Sequence, residues 1–190
     1  MAHDVQDEVQ AMQGVPAIPT ILEVVCQTAG MGFAAVARVT EDRWIACQVR
    51  DNIGFGLGPG SELEVETTLC NEVRKYRDVI VIENVAEDPV YSSHHTPKLY
   101  GLQSYISVPI LLPDGRFFGT LCAIGSKPAN PSNPQTLATI KLFADLIGFQ
   151  FDAAEKLNSA RASLLGEQAA SELREQFIAV LGHDLRNPVA

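Results

Sequence analysis

The residues best suited to chemistry stand near the C-terminal end of the chain, in the segment Phe177-Ile-Ala-Val-Leu-Gly-His183-Asp184-Leu-Arg186-Asn187-Pro188. On a helix, His183 and Asn187 are one turn apart and share a face. Pro188 cannot donate a hydrogen bond to the carbonyl of Asp184, so we expect a kink beside His183. An exposed, neutral imidazole at this point would be a nucleophile. A surface histidine near a helix end is the alternative, but it leaves the rest of the segment unexplained.

This segment resembles the H-box of sensor histidine kinases of two-component systems. The resemblance implies that His183 is the phosphoacceptor that attacks the γ-phosphate of ATP, and that Asp184 orients its imidazole and accepts its proton. Asn187 is implied to aim water at the acyl phosphate of the response regulator. The implied partners are a second copy of the chain and a response-regulator receiver domain. The second helix and the ATP-binding domain of that family are missing from this sequence, so we expect no kinase activity from the chain alone.

The elements before this segment predict an α+β fold. A helix is expected over residues 18–30, with Thr20 as N-cap and Gly30 as its end. Five strand-like runs follow, at residues 33–40, 43–50, 78–84, 104–112 and 116–125, with a second helix over 67–76 and a polar loop over 85–100. Hairpin turns at 41–42 and 113–115 favour a central antiparallel sheet. The glycine-rich residues 52–60 lack a phosphate-loop pattern and are interpreted as a mobile surface loop.

From residue 135 to 184 the sequence lacks proline, which predicts a helix of about 75 Å. Leu157, Ala160 and Leu164 have heptad spacing, as do Leu173, Phe177 and Val180. The two apolar seams are out of phase, with Gly166 at the break. We therefore expect this signalling helix to pair as a parallel coiled coil in a homodimer.

Residues 17–156 resemble a GAF domain, a sensory module. The resemblance rests on residues 61–73 before a Val-Ile-Val-Ile strand, on the 84–88 loop, on Ser107-Val-Pro-Ile and on Gly119-Thr-Leu-Cys-Ala-Ile. It implies a GAF-like antiparallel sheet flanked by helices. The implied organisation is an N-terminal arm or short helix (1–16), the GAF domain (17–156), a coiled-coil linker (157–176) and the truncated start of a dimerisation and phosphoacceptor domain (177–190).

GAF domains bind bilins, cyclic nucleotides, haem, small metabolites or nothing, and the sequence leaves the ligand open. Bilin-binding relatives carry a Cys-His pair where this chain has Ser92-Ser93, which removes covalent attachment there. The residue set typical of cyclic-nucleotide GAF domains is not discernible. A non-covalent bilin, a haem or a small metabolite stays open as the cofactor.

Five side chains are candidates for the ligand site: Trp44, Tyr91, His94, His95 and Tyr100. The adjacent histidines could bind haem or iron, although histidines in polar loops are more often solvent-exposed. Aromatic side chains in such a sheet fill the core more often than they contact a ligand.

The four cysteines, Cys26, Cys47, Cys70 and Cys122, show neither C-x-x-C spacing nor metal-ligand spacing to a histidine. They are predicted to be reduced core residues, with no metal site.

Composition limits the partners. The 190 residues include 14 basic and 23 acidic side chains, a net charge of −9, which argues against binding nucleic acid or an anionic membrane. The acidic N-terminus lacks a secretory pattern, so we expect a cytoplasmic location.

Two other functions are considered. One is a GAF dimerisation or binding module without a ligand. The other is a GAF-fold reductase of free methionine sulfoxide, which needs cysteines in the loop before Ser107, where this chain has none.

Overall fold

The structure is a computed structural model that describes the backbone of residues 5–184 and the side chains of residues 5–178. The elements are, in order, α1 (Val5–Gln13), α2 (Ile18–Ala29), β1 (Phe33–Val39), β2 (Arg43–Asp51), β3 (Glu62–Glu64), α3 (Cys70–Tyr76), β4 (Ile80–Ile82), α4 (His95–Tyr100), β5 (Ser104–Leu111), β6 (Phe117–Gly125) and α5 (Pro134–Asp184). Short 3₁₀ turns lie at Val65–Thr67 and Val85–Glu87.

The strands form one antiparallel sheet of six, in the order β3-β2-β1-β6-β5-β4. The predicted α+β fold with a central antiparallel sheet is confirmed. The sequence analysis missed β3, a three-residue edge strand paired with the start of β2. In β6, every residue from Phe118 to Gly125 is buried, because this central strand is covered on both faces of the sheet.

One face of the sheet packs against α1, α2 and the first part of α5. Its core includes Met12 of α1, Leu22 of α2, and Ile140 and Phe151 of α5, all fully buried. Of the two alternatives for the first sixteen residues, the structure shows the short helix. Its residues Val9 and Met12 belong to this core.

The other face packs against α3, α4 and their flanking segments. Its core contains alternate side chains of the central strands, among them Phe33, Trp44, Tyr105 and Cys122. The helices on this face are short and leave part of the sheet beneath loops. This face holds the candidate site.

Two local predictions need correction, and a third is confirmed. Helix α2 begins at Ile18 with Ala17 as N-cap, so Thr20 lies inside the helix. The reason is Pro19, whose fixed φ suits the first helical turn. The predicted end at Gly30 is confirmed, with φ 65°. The predicted polar loop over 85–100 contains α4, whose N-cap is His94.

Helix α5 runs without interruption through 51 residues, so the predicted long helix is confirmed. The chain divides into two compact units, residues 1–152 and 153–190. Among residues 5–184, no single helix has the length and apolar character to cross a membrane; α1 and α2, which meet at 77°, would meet the criterion only together as a bent pair.

Candidate functional site

A small apolar cavity with about 30 Å³ of free space lies on the face of the sheet that carries α3 and α4. Its walls include Phe33 of β1, Trp44 of β2 and Leu69 before α3. The remaining lining comes from the 52–60 loop, from β3, from α3 and the residue before Leu69, from α4 and the segment after it, and from β5 and β6. A space of about 30 Å³ has room for about two water molecules. It lies far below the range of about 300 to 1,000 Å³ typical of small-molecule sites, so a ligand would have to move the cavity walls.

The glycine-rich loop of residues 52–60 covers this cavity with Phe55 and Leu57. The ring of Phe55 lies 4.8 Å from that of Phe33 and 6.0 Å from that of Tyr100, between ring centroids. The interpretation of this segment as a mobile surface loop therefore overlooked its two apolar side chains. Their alternation with glycine is the sequence signal that could have placed them over a core.

The carboxylate of Asp51 holds the start of this loop. Its oxygens accept hydrogen bonds from the backbone N–H groups of Ile53, Phe55 and Gly56 at 2.9 to 3.1 Å. Burial would raise the pKa of Asp51, but these backbone donors outweigh it and lower the pKa below its ordinary value. Glycine is required at positions 54 and 56, where φ is 72° and 88°. The loop is thus fixed by local chemistry as well as by packing.

A second, outer cleft of about 400 Å³ adjoins the cavity. The two spaces share five lining residues: Phe55, Leu57, Tyr100, Leu102 and Ile124. Phe55 and Tyr100 therefore stand between the cleft and the inner cavity. A ligand that entered from the cleft would have to displace these two rings.

Polar groups in the cavity wall converge on the sulfur of Cys70. The hydroxyl of Thr120 donates to it at 3.2 Å, and the hydroxyl of Tyr105 lies at the same distance. Cys122 lines the same cavity, and its thiol also acts on the charge of the Cys70 sulfur. All four residues are at least nine-tenths buried. No local sequence pattern indicates this cluster, because its members come from distant parts of the chain.

These contacts favour the charged form of Cys70. The hydrogen bond from Cys122, and after it those from Thr120 and Tyr105, lower the pKa of the Cys70 thiol, although burial opposes them. The pKa of Cys122 is raised, first by its bond to Cys70 and then by burial. The indole Nε1 of Trp44 is buried without a well-aligned hydrogen-bond partner in the described part of the chain, and it also favours the Cys70 thiolate.

The structure separates the five predicted ligand residues into two groups. Trp44 and Tyr100 line the cavity, and the Tyr100 hydroxyl is 2.7 Å from the hydroxyl of Thr67. Tyr91, His94 and His95 are not among the lining residues of the cavity or the cleft. A ligand-binding role for these five residues stays a prediction.

Tyr91 and His94 meet at Glu72 of α3. The Tyr91 hydroxyl donates to Glu72 Oε2 at 3.1 Å, and His94 Nε2 is 3.1 Å from Glu72 Oε1. His94 Nδ1 accepts the backbone N–H of Thr96 and so caps α4. His95 stacks on His94 at 4.3 Å and contacts the backbone carbonyl of Glu66. These contacts account for the three residues as part of the α3–α4 packing.

The predicted phosphoacceptor segment lies at the end of α5. His183 and Asp184 are its last helical residues, and their side chains lie outside the described part. Asn187 and Pro188 lie beyond the described residues altogether, so their predicted roles and the predicted kink stay predictions.

Within residues 5–178, no group of three potential metal ligands is close enough to hold a metal ion. All four cysteines are free and buried, as predicted. Neither predicted histidine faces the cavity, so the residues present do not fit a haem ligated there.

The family model for the GAF domain matches residues 16–151 of this chain. The chain belongs to the GAF domain family. Its described α+β unit is accordingly a sensory and signalling domain. The domain boundaries expected from the sequence, 17 and 156, stay a prediction.

Among curated proteins, this GAF domain protein is similar to diguanylate cyclase DgcP of Escherichia coli strain K12, with 38% identity over 76 residues. The match covers 38% of this chain and 22% of that protein. The chain thus spans about a fifth of the length of this relative, and the cyclase activity belongs to a much longer protein.

Solved structures show the same fold. The bacteriophytochrome RpBphP3 of R. palustris matches with a TM-score of 0.64 and 14% identity, over 86% of this chain and 40% of that one. The GAF-B domain of DevS from Mycobacterium smegmatis matches with a TM-score of 0.57 and 14% identity, over 83% and 99% of the two chains. At such identities the likeness extends to the fold alone.

Proposed function

We propose that this chain is the sensory and signal-transmitting part of a two-component histidine kinase in which the GAF domain controls phosphorylation of His183. The observation that carries this proposal is the placement of the H-box-like segment on α5. One continuous helix links residues packed in the GAF core to His183. A signal that changes the domain therefore has a direct covalent path to the reacting residue.

The cavity indicates the class of ligand. Its walls are almost entirely apolar, and its polar groups are few and converge at one point, an arrangement typical of small-molecule sites. Covalent attachment of a bilin at residues 92–93 is chemically unavailable, because both are serine. We infer that the ligand is a small, mainly apolar metabolite that displaces Phe55 and Tyr100, enlarges the cavity of about 30 Å³ and is held there reversibly.

A homodimer is the proposed assembly. Every described side chain of α5 from residue 156 to 178 is exposed, including Leu157, Leu164 and Phe177, which are 52 to 65% exposed. Earlier in α5, Leu142, Leu146 and Phe149 are exposed at a spacing of four and three residues. A second copy of the chain would bury these side chains in a parallel helical pair. A receiver domain is the proposed phosphate acceptor after His183.

The output is tested on the full natural protein that contains this chain. Incubation with ATP is expected to label His183 with an acid-labile phosphate, and His183→Gln is expected to abolish the label. The matched control is His3→Gln, which lies far from the H-box-like segment in sequence. Label that persists in His183→Gln, or complete absence of label in the unaltered protein, would refute the kinase assignment.

A cyclase output is the second candidate, favoured by the identity with DgcP. The same protein is therefore incubated with GTP. Formation of a cyclic dinucleotide that is unaffected by His183→Gln would support a diguanylate cyclase instead.

A further inference from the structure

The buried cluster around Cys70 lies in the part of the cavity wall formed by α3, β5 and β6. In the ladder between the two strands, Cys122 stands opposite Ser107, and Tyr105 and Thr120 are two residues away along their strands. These four side chains therefore share one face of the sheet. Cys70, at the start of α3, lies over this group.

The two thiols thus share a neighbour, because Cys122 stands opposite Ser107 and the Cys70 sulfur is 3.9 Å from the Ser107 hydroxyl. Hydroxyl donors surround the Cys70 sulfur. The donors satisfy a charged sulfur better than a neutral thiol, which has only weak acceptor capacity. A packing role alone does not require them, since the other two cysteines lie in the opposite core without such donors. Burial raises the pKa of Cys26 to about 11 and that of Cys47 to about 12.

The pair is also reachable by a small molecule. Cys70 and Cys122 both line the inner cavity, which shares its outer wall with the cleft. A small, uncharged oxidant needs only a brief movement of the Phe55 and Tyr100 rings to enter, and the apolar walls exclude charged reagents. Cys26 and Cys47 do not line either space.

We propose that Cys70 and Cys122 form a redox-active dithiol that hydrogen peroxide converts to an intramolecular disulfide. The GAF domain would then respond to peroxide through its own side chains. This chemistry is independent of the proposed kinase output, because it needs only residues of the GAF domain.

The reaction balances in two steps. The Cys70 thiolate attacks one oxygen of hydrogen peroxide, an S–O bond forms, the O–O bond breaks, and hydroxide takes up a proton to leave as water. The sulfur of Cys122 then attacks the sulfenic sulfur of Cys70. The S–S bond forms, the S–O bond breaks, and the Cys122 proton leaves with the hydroxide as a second water. The dithiol loses two electrons, and peroxide is reduced.

Oxidation would alter the cavity wall. A disulfide sulfur is a poor acceptor, so the hydroxyls of Tyr105 and Thr120 would lose a charged partner. The bond would also tie the start of α3 to β6. Both effects act beside Trp44 and Leu69, which line the space where the ligand is proposed to bind.

The test uses the reduced full chain and a time course with hydrogen peroxide. Each sample is quenched in denaturant with N-ethylmaleimide, so that burial does not limit labelling, and the four cysteines are then mapped as peptides. Cys70 and Cys122 are expected to lose maleimide labelling together, about tenfold faster than Cys26 and Cys47, because only this pair lines the cavity and has hydroxyl donors that stabilise a thiolate. A non-reduced digest is expected to contain the Cys70 peptide joined to the Cys122 peptide.

Two variants separate the roles of the thiols. Cys122→Ser is expected to leave Cys70 as a sulfenic acid that dimedone traps, with no cross-linked peptide. The matched control Cys26→Ser is expected to keep the cross-link and its rate. Equal loss of labelling at all four cysteines, or oxidation of Cys70 in the unaltered chain without a cross-link to Cys122, would overturn the proposal. The unaltered chain decides the question even where a variant fails to fold.

Discussion

At the scale of single residues, the ion pair between Arg38 and Glu8 joins α1 to the sheet. The two atoms Arg38 Nε and Glu8 Oε2 are 2.6 Å apart, and their side chains are 16% and 10% exposed. The Arg38 guanidinium also donates to the carbonyls of Val39 and Phe118 and lies over the Phe118 ring. The pair thus anchors α1, a segment whose packing the sequence alone left undecided.

Replacing Glu8 is expected to destabilise the domain. Glu8→Ala leaves the Arg38 charge largely buried without its carboxylate, which should lower the free energy of unfolding by about 3 kcal/mol. The matched control is Glu62→Ala, which removes an exposed pair with Arg43, whose side chains are 50% and 36% exposed. That change should lower the free energy of unfolding by less than about 1 kcal/mol. Urea unfolding of both variants measures the difference, and equal losses would contradict a structural role for the Glu8 pair.

At the scale of elements, the loop of residues 52–60 decides whether the cavity is covered. Asp51→Ala removes the acceptor for three backbone N–H groups and is expected to speed hydrogen exchange at Ile53, Phe55 and Gly56 about tenfold. The control is Asp114→Ala, which removes an acceptor for the backbone N–H of Arg116 in the β5–β6 turn. This change should leave the exchange of the loop amides unaltered. Unchanged exchange in Asp51→Ala would show that apolar packing alone holds the loop.

The same contact gives the loop a pH dependence. Because the folded pKa of Asp51 lies below its unfolded value of about 3.9, its stabilising effect is present above that value and is lost as the pH falls through the folded pKa. Protection of the loop amides, corrected for intrinsic exchange, should therefore fall below about pH 4 in the unaltered chain. In Asp51→Ala this protection should not change in that window. Loss of amide protection at neutral pH would show that the titration of a group other than Asp51 controls the loop.

The exposed seam of α5 carries the prediction of a dimer. Leu157→Glu together with Leu164→Glu should give monomers with a folded sheet, because charges would replace the side chains that a second helix buries. Ser159→Glu together with Ala162→Glu adds the same charge on the opposite side of the helix and should leave the dimer intact. Light scattering measures the mass, and circular dichroism checks the fold. An unaltered chain that is monomeric at high micromolar concentration would refute the dimer.

The sequence predicted most elements correctly because their signals are local. The hairpin turn at residues 113–115 and the end of α2 at Gly30 depend on backbone preferences of the residues themselves. The candidate site was predictable only in part. Trp44 and Tyr100 were singled out, whereas Phe55 and the Cys70 cluster were not. Their roles arise from contacts between residues far apart in the chain, which no local pattern encodes.

At the scale of the whole molecule, the central claim is that α5 transmits the state of the GAF domain to His183. The helix is continuous from Pro134 to Asp184, and its two apolar seams are out of phase around Gly166. A Cβ added at Gly166 would meet no atom within 4 Å in a single chain. We infer that two packings of the paired helices are close in energy and that the GAF domain favours one of them.

The rate of His183 phosphorylation in the full protein tests this claim most directly. One residue inserted after Gly166 turns the following seam by about 100°, whereas seven inserted residues nearly restore its phase. The one-residue insertion is expected to change the rate severalfold, and the seven-residue insertion to keep it close to that of the unaltered protein, with His183→Gln as the background. Equal rates in the unaltered protein and both insertions would contradict transmission along α5.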